Sequence, residues 1–368
     1  MYNSFKFCST VLIPQDITKY YSKGTSKKMV NGVETPHWVW NNLSFIMKDG
    51  INSAFVKAGG GHFADESKGS VYTLGLENNK LEIPWKDRDS SETLKLIADY
   101  AKFKCNLDNE RAFSNSFDFV EFLEKELMTV EKERRIVVTG DVKPSFYNGQ
   151  ITDEFIVKSV RYAYDDEKSG FYLNMDVYFN EDSIDETRFD EEKVIDLMGY
   201  TYNHIDKELK MRFVPHAFVL NGKKLDFDNP DHKRMWDYQK KYITAESDEF
   251  VHMAFEVKYV RGAEEVEFTE DMLTEAQKEQ ILFGQASLED FKPRGTFGGN
   301  NIVEYRIIKP NLKIKGFADG IVQSGLDREG FEALIYRPAP LTESFPFDNP
   351  ANKETAKETE STDEDLFS

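Results

Sequence analysis

Residues 292–317 set six cations (Lys292, Arg294, Arg306, Lys309, Lys313 and Lys315) against one carboxylate, Glu304. Phe297, Tyr305 and Phe317 are interleaved with them, and Gly295, Gly298 and Gly299 favour a loop that can adapt its shape. Cations strung along a chain can follow a phosphate backbone, and rings between them can stack on bases without reading a sequence. Two further stretches share this chemistry. Residues 17–33 carry Lys19, Lys23, Lys27 and Lys28 with no acid, beside Tyr20 and Tyr21; residues 207–224 carry Lys207, Lys210, Arg212, Lys223 and Lys224 against Glu208. The plainer reading is that all three are solvated sheet faces whose rings belong to a core.

Other chemistry finds little support. Cys8 and Cys105 are too far apart in sequence for metal-ligand spacing, and the six histidines are scattered with no His-x-x-x-His pair. There is no phosphate loop, nucleophile elbow or dinucleotide fingerprint. Residues 59–61, Gly-Gly-Gly before His62, read as a wide hairpin turn between two strands. No cofactor and no enzymatic activity is expected. The 368 residues have a net charge of −19, which argues against a protein held to nucleic acid by bulk positive charge. No apolar run reaches the roughly 20 residues of a membrane helix, so no membrane contact and a cytoplasmic location are expected.

The elements that must carry the cations are mostly strands, since 14% aromatic content suits pleated, half-buried surfaces. Leu43, Phe45 and Met47, then Ala54, Phe55 and Val56, read as a hairpin about residues 48–50. Helices are expected in an insertion over about residues 90–133, with Phe119, Phe122, Leu123 and Leu127 on one face of the second. Residues 136–142 read as a strand with a bulge at Gly140, followed by an Asn148-Gly149 hairpin and strands over 155–164 and 171–179. Strands resume beyond 195. The expected fold is α+β, mostly β: a small OB-like β-barrel with a helical insertion (1–194), a second β-rich domain (195–338) and a disordered acidic tail (339–368). The tail has eight acids and two lysines.

The strand through Val137, Val138, Thr139, Gly140, Asp141 and Val142, with Asn148-Gly149 and the next strand, resembles the first hairpin of bacteriophage OB-fold single-stranded DNA-binding proteins. The terminal Asp363, Glu364, Asp365, Leu366 and Phe367 are similar to the acidic tails such proteins use to recruit replication and recombination partners; here Ser368 follows the Phe. The resemblance implies a protein that coats single-stranded DNA in phage replication or recombination. The contact residues expected are Lys19, Lys27, Lys28, Tyr147, Tyr162, Tyr164, Lys210, Arg212 and, in the 292–317 cluster, Lys292, Arg294, Phe297, Tyr305, Arg306, Lys309, Lys313 and Lys315. A virion structural or assembly protein is the main alternative, then an inhibitor that mimics DNA with its acidic surface.

Overall fold

The computed structural model describes residues 3–14, 16–75, 79–147, 150–205, 209–246, 250–262, 273–287, 291, 302–312, 322–323 and 328–337. The chain runs β1 (Ser4–Leu12), α1 (Ile17–Tyr20), β2 (Tyr21–Val30), β3 (Val33–Asp49), β4 (Asn52–Phe63), β5 (Ser70–Leu74), β6 (Lys80–Pro84), α2 (Ser91–Ile97), β7 (Phe103–Asn106), β8 (Glu110–Phe113), α3 (Ser116–Thr129), β9 (Ile136–Tyr147) and β10 (Gln150–Tyr162). It continues through β11 (Gly170–Phe179), β12 (Ile184–Asp185), α4 (Phe189–Glu192), β13 (Val194–His204), β14 (Met211–Asn221), α5 (Pro230–Lys241), β15 (Val251–Gly262), α6 (Glu275–Leu282), β16 (Ile302–Pro310), β17 (Val322–Gln323) and α7 (Arg328–Leu334). The mostly-β expectation holds, with one large sheet and a separate β5–β6 pair.

Strand pairing closes two five-membered circuits. In the first, β1 pairs β3, β3 pairs β4, β4 pairs β10 in parallel, β10 pairs β9 and β9 returns to β1. In the second, β11 pairs β13, β13 pairs β14, β14 pairs β16 in parallel, β16 pairs β15 and β15 returns to β11. Numbered by chain order, the strands of each circuit run one-two-three-five-four and back to one. A helix precedes the fourth strand in both: α3 before β9, α5 before β15. The boundary expected at residue 194 falls inside the second circuit, whose first strand, β11, begins at Gly170.

Alternation explains the cores. Leu43, Phe45 and Met47 on β3 face Ala54, Val56 and Ala58 on β4, all buried. On β11, Leu173, Met175, Val177 and Phe179 turn inward in the same way. Helix α3 starts at an Asn115 cap, whose side chain accepts from Asp118 N at 2.9 Å, and it buries Phe119, Val120, Leu123 and Leu127. One apolar cluster runs through both circuits, and Tyr259 of β15 meets Phe155 of β10 edge-on at 5.1 Å. Both cysteines are buried and unbridged, and burial pushes the Cys105 thiol up to about 12.

The glycine triplet is not a turn, and this corrects the sequence reading. Residues 59–61 lie inside β4, opposite Asn42, Asn41 and Trp40. A Cβ on Gly60 would collide with the backbone of Phe117, where the start of α3 rests on the strand. Asn41 fixes that contact by donating to Phe117 O at 2.9 Å. Gly140 has a similar cause: a Cβ there would strike Ile156 O on β10.

The connector between the circuits is clamped by Glu167. It accepts from both terminal nitrogens of Arg161 at 2.7 and 2.8 Å and pairs with Lys6 of β1 at 2.5 Å, while Arg135 donates to its carbonyl at 2.6 Å. Arg161 chiefly, opposed by burial and helped by Lys6, holds its carboxyl at about 2, below the usual 4.5.

Two outcomes follow. Gly140→Ala should cost about 1–3 kcal/mol by overpacking, read as a lower urea midpoint at unchanged slope. Because the folded Glu167 carboxyl titrates below the unfolded one, its stabilisation is complete above about pH 4.5 and fades as pH falls toward about 2. Urea unfolding between pH 6 and 3 should show Glu167→Gln less stable by about 1 kcal/mol at pH 6, with the gap closing on acidification.

Candidate nucleic-acid interface

Strands two and three of the first circuit, β3 and β4, extend past the other strands of that circuit. Trp38, Trp40, Asn42, Ser44 and Ile46 share the outer face of β3, opposite Phe63, Gly61, Gly59, Lys57 and Phe55 on β4. Leu12 of β1 flanks Ile46. Trp38, Phe55, Phe63 and Leu12 are exposed, Phe55 by 46%. From Trp38 to Ile46 the strip is about 26 Å long at roughly 3.3 Å per residue.

Glycines shape the strip. The Trp40 indole lies against Gly24 of β2, where a Cβ would come within 2.7 Å of ring atom Cζ2. A Cβ on Gly61 would likewise strike the Trp38 ring, which meets Phe63 edge-on at 5.2 Å. Two indoles therefore lie close over the strands with Phe63 beside them. That arrangement is a stacking surface.

The back of the strip is braced. His62 stacks on Trp85 at 4.3 Å, and the Arg88 guanidinium lies 4.3 Å from the Trp85 ring. Val71, Ile83, Trp85, Ile97 and Phe117 make a small core there with Val39. Lys23 pairs with Glu121 of α3, whose hydrogen bond raises the pKa of the ammonium. Cations border the front: Lys48 and Lys28 are exposed, Lys57 pairs with Glu154 at 2.5 Å and Lys27 with Glu34 at 3.0 Å.

The corresponding strands of the second circuit present a covered face. Tyr200 of β13 and Phe213 of β14 pack against Phe331 of α7, with ring centroids 5.0 and 4.3 Å away, and Phe250 stacks on Phe331 at 4.4 Å. Phe331 and Phe213 are buried. Arg328 of α7 pairs with Glu181 and, at 3.1 Å, with Asp182.

The residues expected from sequence do not assemble into one groove. Lys27 and Lys28 lie on the β2–β3 ribbon near the indoles, and Lys19 is exposed at the end of α1. Tyr305, half-buried, packs among Tyr259 (5.3 Å), Phe218 (6.0 Å) and His216 (6.2 Å), and burial first, then Asp153, raises its hydroxyl pKa. Its ring packs against the cluster that joins the circuits. Arg306 pairs with Glu304 at 2.6 Å and Lys309 with Glu256 at 3.4 Å. Arg212 donates to Met211 O at 2.8 Å, and Lys210 is exposed at a left-handed φ of 56°.

The Tyr162 hydroxyl donates to Asp108 at 2.9 Å, and the Arg134 guanidinium covers its ring at 3.3 Å. Tyr164 is exposed, with the Arg161 guanidinium 4.5 Å from its ring. Tyr147 ends β9, but its side chain lies outside the described part. Lys292, Arg294, Phe297, Lys313 and Lys315 lie outside the described residues, as do Asp363, Glu364, Asp365, Leu366 and Phe367. Sequence reasoning missed Trp38, Trp40, Phe55 and Phe63. The two-residue spacing of Trp38 and Trp40 was the available signal, hidden because residues 33–42 lack an apolar inward face to mark them as strand.

The sequence matches no family model and no curated protein. Among solved structures it is similar to a deletion mutant of the single-stranded DNA binding protein from Thermus aquaticus, at 8% identity and a TM-score of 0.27, over 71% of this chain and 87% of that one. A likeness of that size leaves the functional reading to the residues themselves. No helix among the described residues is long and apolar enough to cross a membrane.

The α7 cap yields a direct expectation. Phe331→Ala removes its central anchor, so cleavage within residues 328–337 in limited proteolysis should rise at least severalfold while the β-sheet circular dichroism is kept.

Proposed function

We propose that this chain is a single-stranded DNA-binding protein built from two OB-type barrels, with β3 and β4 of the first as its principal binding face. The observation that carries the reading is the strip of exposed Trp38, Phe63 and Phe55 with half-buried Trp40, on strands two and three of a five-stranded circuit closed one-two-three-five-four. OB folds bind oligonucleotides on the face of those two strands and on nearby loops. Rings supply sequence-tolerant stacking, and Lys28, Lys48, Lys57 and Lys27 supply phosphate contacts along the border. The cluster at 292–317 spans β16, the last strand of the proposed second barrel, and OB folds also use the segment before that strand for binding.

The wider setting rests on the sequence resemblance: a phage protein acting in host cytoplasm during DNA replication or recombination, binding without catalysis. Its acidic tail would recruit partner proteins through Leu366 and Phe367 and, when no strand is bound, compete for cationic surface.

Fluorescence anisotropy with oligo-dT tests this reading. Binding should be far tighter than to duplex and weaken as salt rises. Trp38→Ala with Trp40→Ala should lose about 1–3 kcal/mol per stacked base, a tenfold to hundredfold loss or more, with the salt slope kept. Lys27→Ala with Lys28→Ala should instead flatten the slope by about 0.7 for each lost contact. Equal affinity for duplex, or indole variants that bind like the parent, would refute the assignment.

A further inference from the structure

The tip of the β2–β3 ribbon is built in a way that stacking alone does not require. Residues 25–34 are all exposed. Asn31 and Gly32 make a tight two-residue turn with φ of 51° and 78°, the positive pair typical of a type I′ hairpin. Around it Met29, Val30 and Val33 are 61%, 47% and 62% exposed. Val30 opposes Val33 on one face of the ribbon, which is apolar there, and on the other Met29 lies opposite Glu34. A solvated hairpin needs none of this, since Thr would hold the same strands, as Thr25 and Thr35 do further down.

The ribbon is also stiffened and charged behind its tip. Thr35 Oγ1 donates across the strands to Lys28 O at 3.0 Å, and Lys27 pairs with Glu34 at 3.0 Å. At its root the buried Tyr20 donates its hydroxyl to Glu124 O of α3 at 2.8 Å. Lys27 and Lys28 lie immediately behind the apolar tip. The tip is continuous with the aromatic strip: Val33 is five residues from Trp38 on β3, about 17 Å at roughly 3.3 Å per residue. A strand held on the indoles leads toward the tip.

We propose that this tip is a duplex-opening wedge: Met29, Val30 and Val33 enter the first base step where a bound single strand becomes double-stranded, and Lys27 and Lys28 hold the phosphates beside it. Apolar side chains on basic proteins part base steps in this manner, unstacking them without breaking a covalent bond. The wedge rests on the single-strand-binding reading and adds an activity to it, the opening of adjacent duplex.

The test uses the full chain and a short duplex bearing an oligo-dT overhang, with 2-aminopurine at the junction pair. The parent should bind the overhang, raise the 2-aminopurine emission and speed strand separation, and leave a blunt duplex unchanged. M29S/V30S/V33S should bind oligo-dT within about twofold of the parent but separate strands roughly tenfold more slowly, because only the wedge is lost. M29T/V30T/V33T, which keeps strand propensity, guards against a misfolded ribbon and should behave the same way. If the overhang binds and both variants separate strands at the parental rate, the wedge is wrong and the single-strand reading stands. If the overhang does not bind at all, both fall. If the variants instead change the oligomeric mass by light scattering while strand separation is kept, the tip is an interface between copies, and the wedge is overturned.

Discussion

A strand has two hydrogen-bonding edges, and β1 uses both at once. Residues Ser4–Cys8 pair with β9 along one edge and with β11 along the other, and Thr10–Leu12 then pair with β3. Those pairings close the first circuit and fasten the second to it. The join needs apolar side chains on both faces of a short segment, and the sequence SFKFCSTVL supplies them: Phe5, Phe7 and Cys8 are buried although they do not alternate strictly. Phe7 meets Phe171 of β11 at a tilt, 5.0 Å away, and Phe155 of β10 edge-on at 4.8 Å, so one ring contacts a strand from each circuit.

The seam so formed has a polar centre. Asp153 of β10 and His216 of β14 approach to 3.5 Å with both side chains buried, and the other ring nitrogen of His216 lies 2.8 Å from the Thr201 hydroxyl. Buried polar groups fix geometry more than they add stability, because a displaced partner leaves an unsatisfied group in a medium of low polarity. Tyr305, half-buried, packs beside the same cluster, 6.2 Å from the His216 ring. An aromatic next to cations in sequence is not thereby next to them in space. On β16 successive side chains face opposite ways, and Tyr305 turns inward while Glu304 and Arg306 face outward and pair with each other.

Much of the fold was legible for a simple reason. The strands over 43–47, 54–56 and 171–179 each bury one face, so their alternation is written into the sequence, and the strand over 136–142 shows as an apolar run, with Ile136, Val137 and Val138 all buried. Both expected helices were found where their caps and apolar spacing put them, α2 after Ser90 and α3 after Asn115. The closing contacts were not legible. That β4 meets β10 in parallel depends on partners about a hundred residues apart, and no local pattern records it. The candidate site was hidden for the opposite reason from a core. Residues 21–42 form a ribbon exposed over much of its length, so its strands lack the inward apolar half of the alternation, and the glycines that make room for indoles and for α3 read locally as a turn.

The two circuits share a strand order but not a surface, and the difference follows from what covers strands two and three. On the second circuit, Phe331 fills the space over Phe213 and Phe250, a burial of about 2–3 kcal/mol for one large side chain. A helix of seven residues would not persist alone, so α7 exists because that face holds it. Its rim is acidic: Glu181 and Asp182 receive Arg328, and without that cation they would repel a phosphate backbone. The first circuit has the reverse arrangement, with open rings bordered by Lys27, Lys28, Lys48 and Lys57. A chain with a net charge of −19 can still attract an anion where its cations are collected, since charges within a Debye length of about 8–10 Å outweigh those beyond it. The overall acidity and the lysine-bordered strip are therefore compatible.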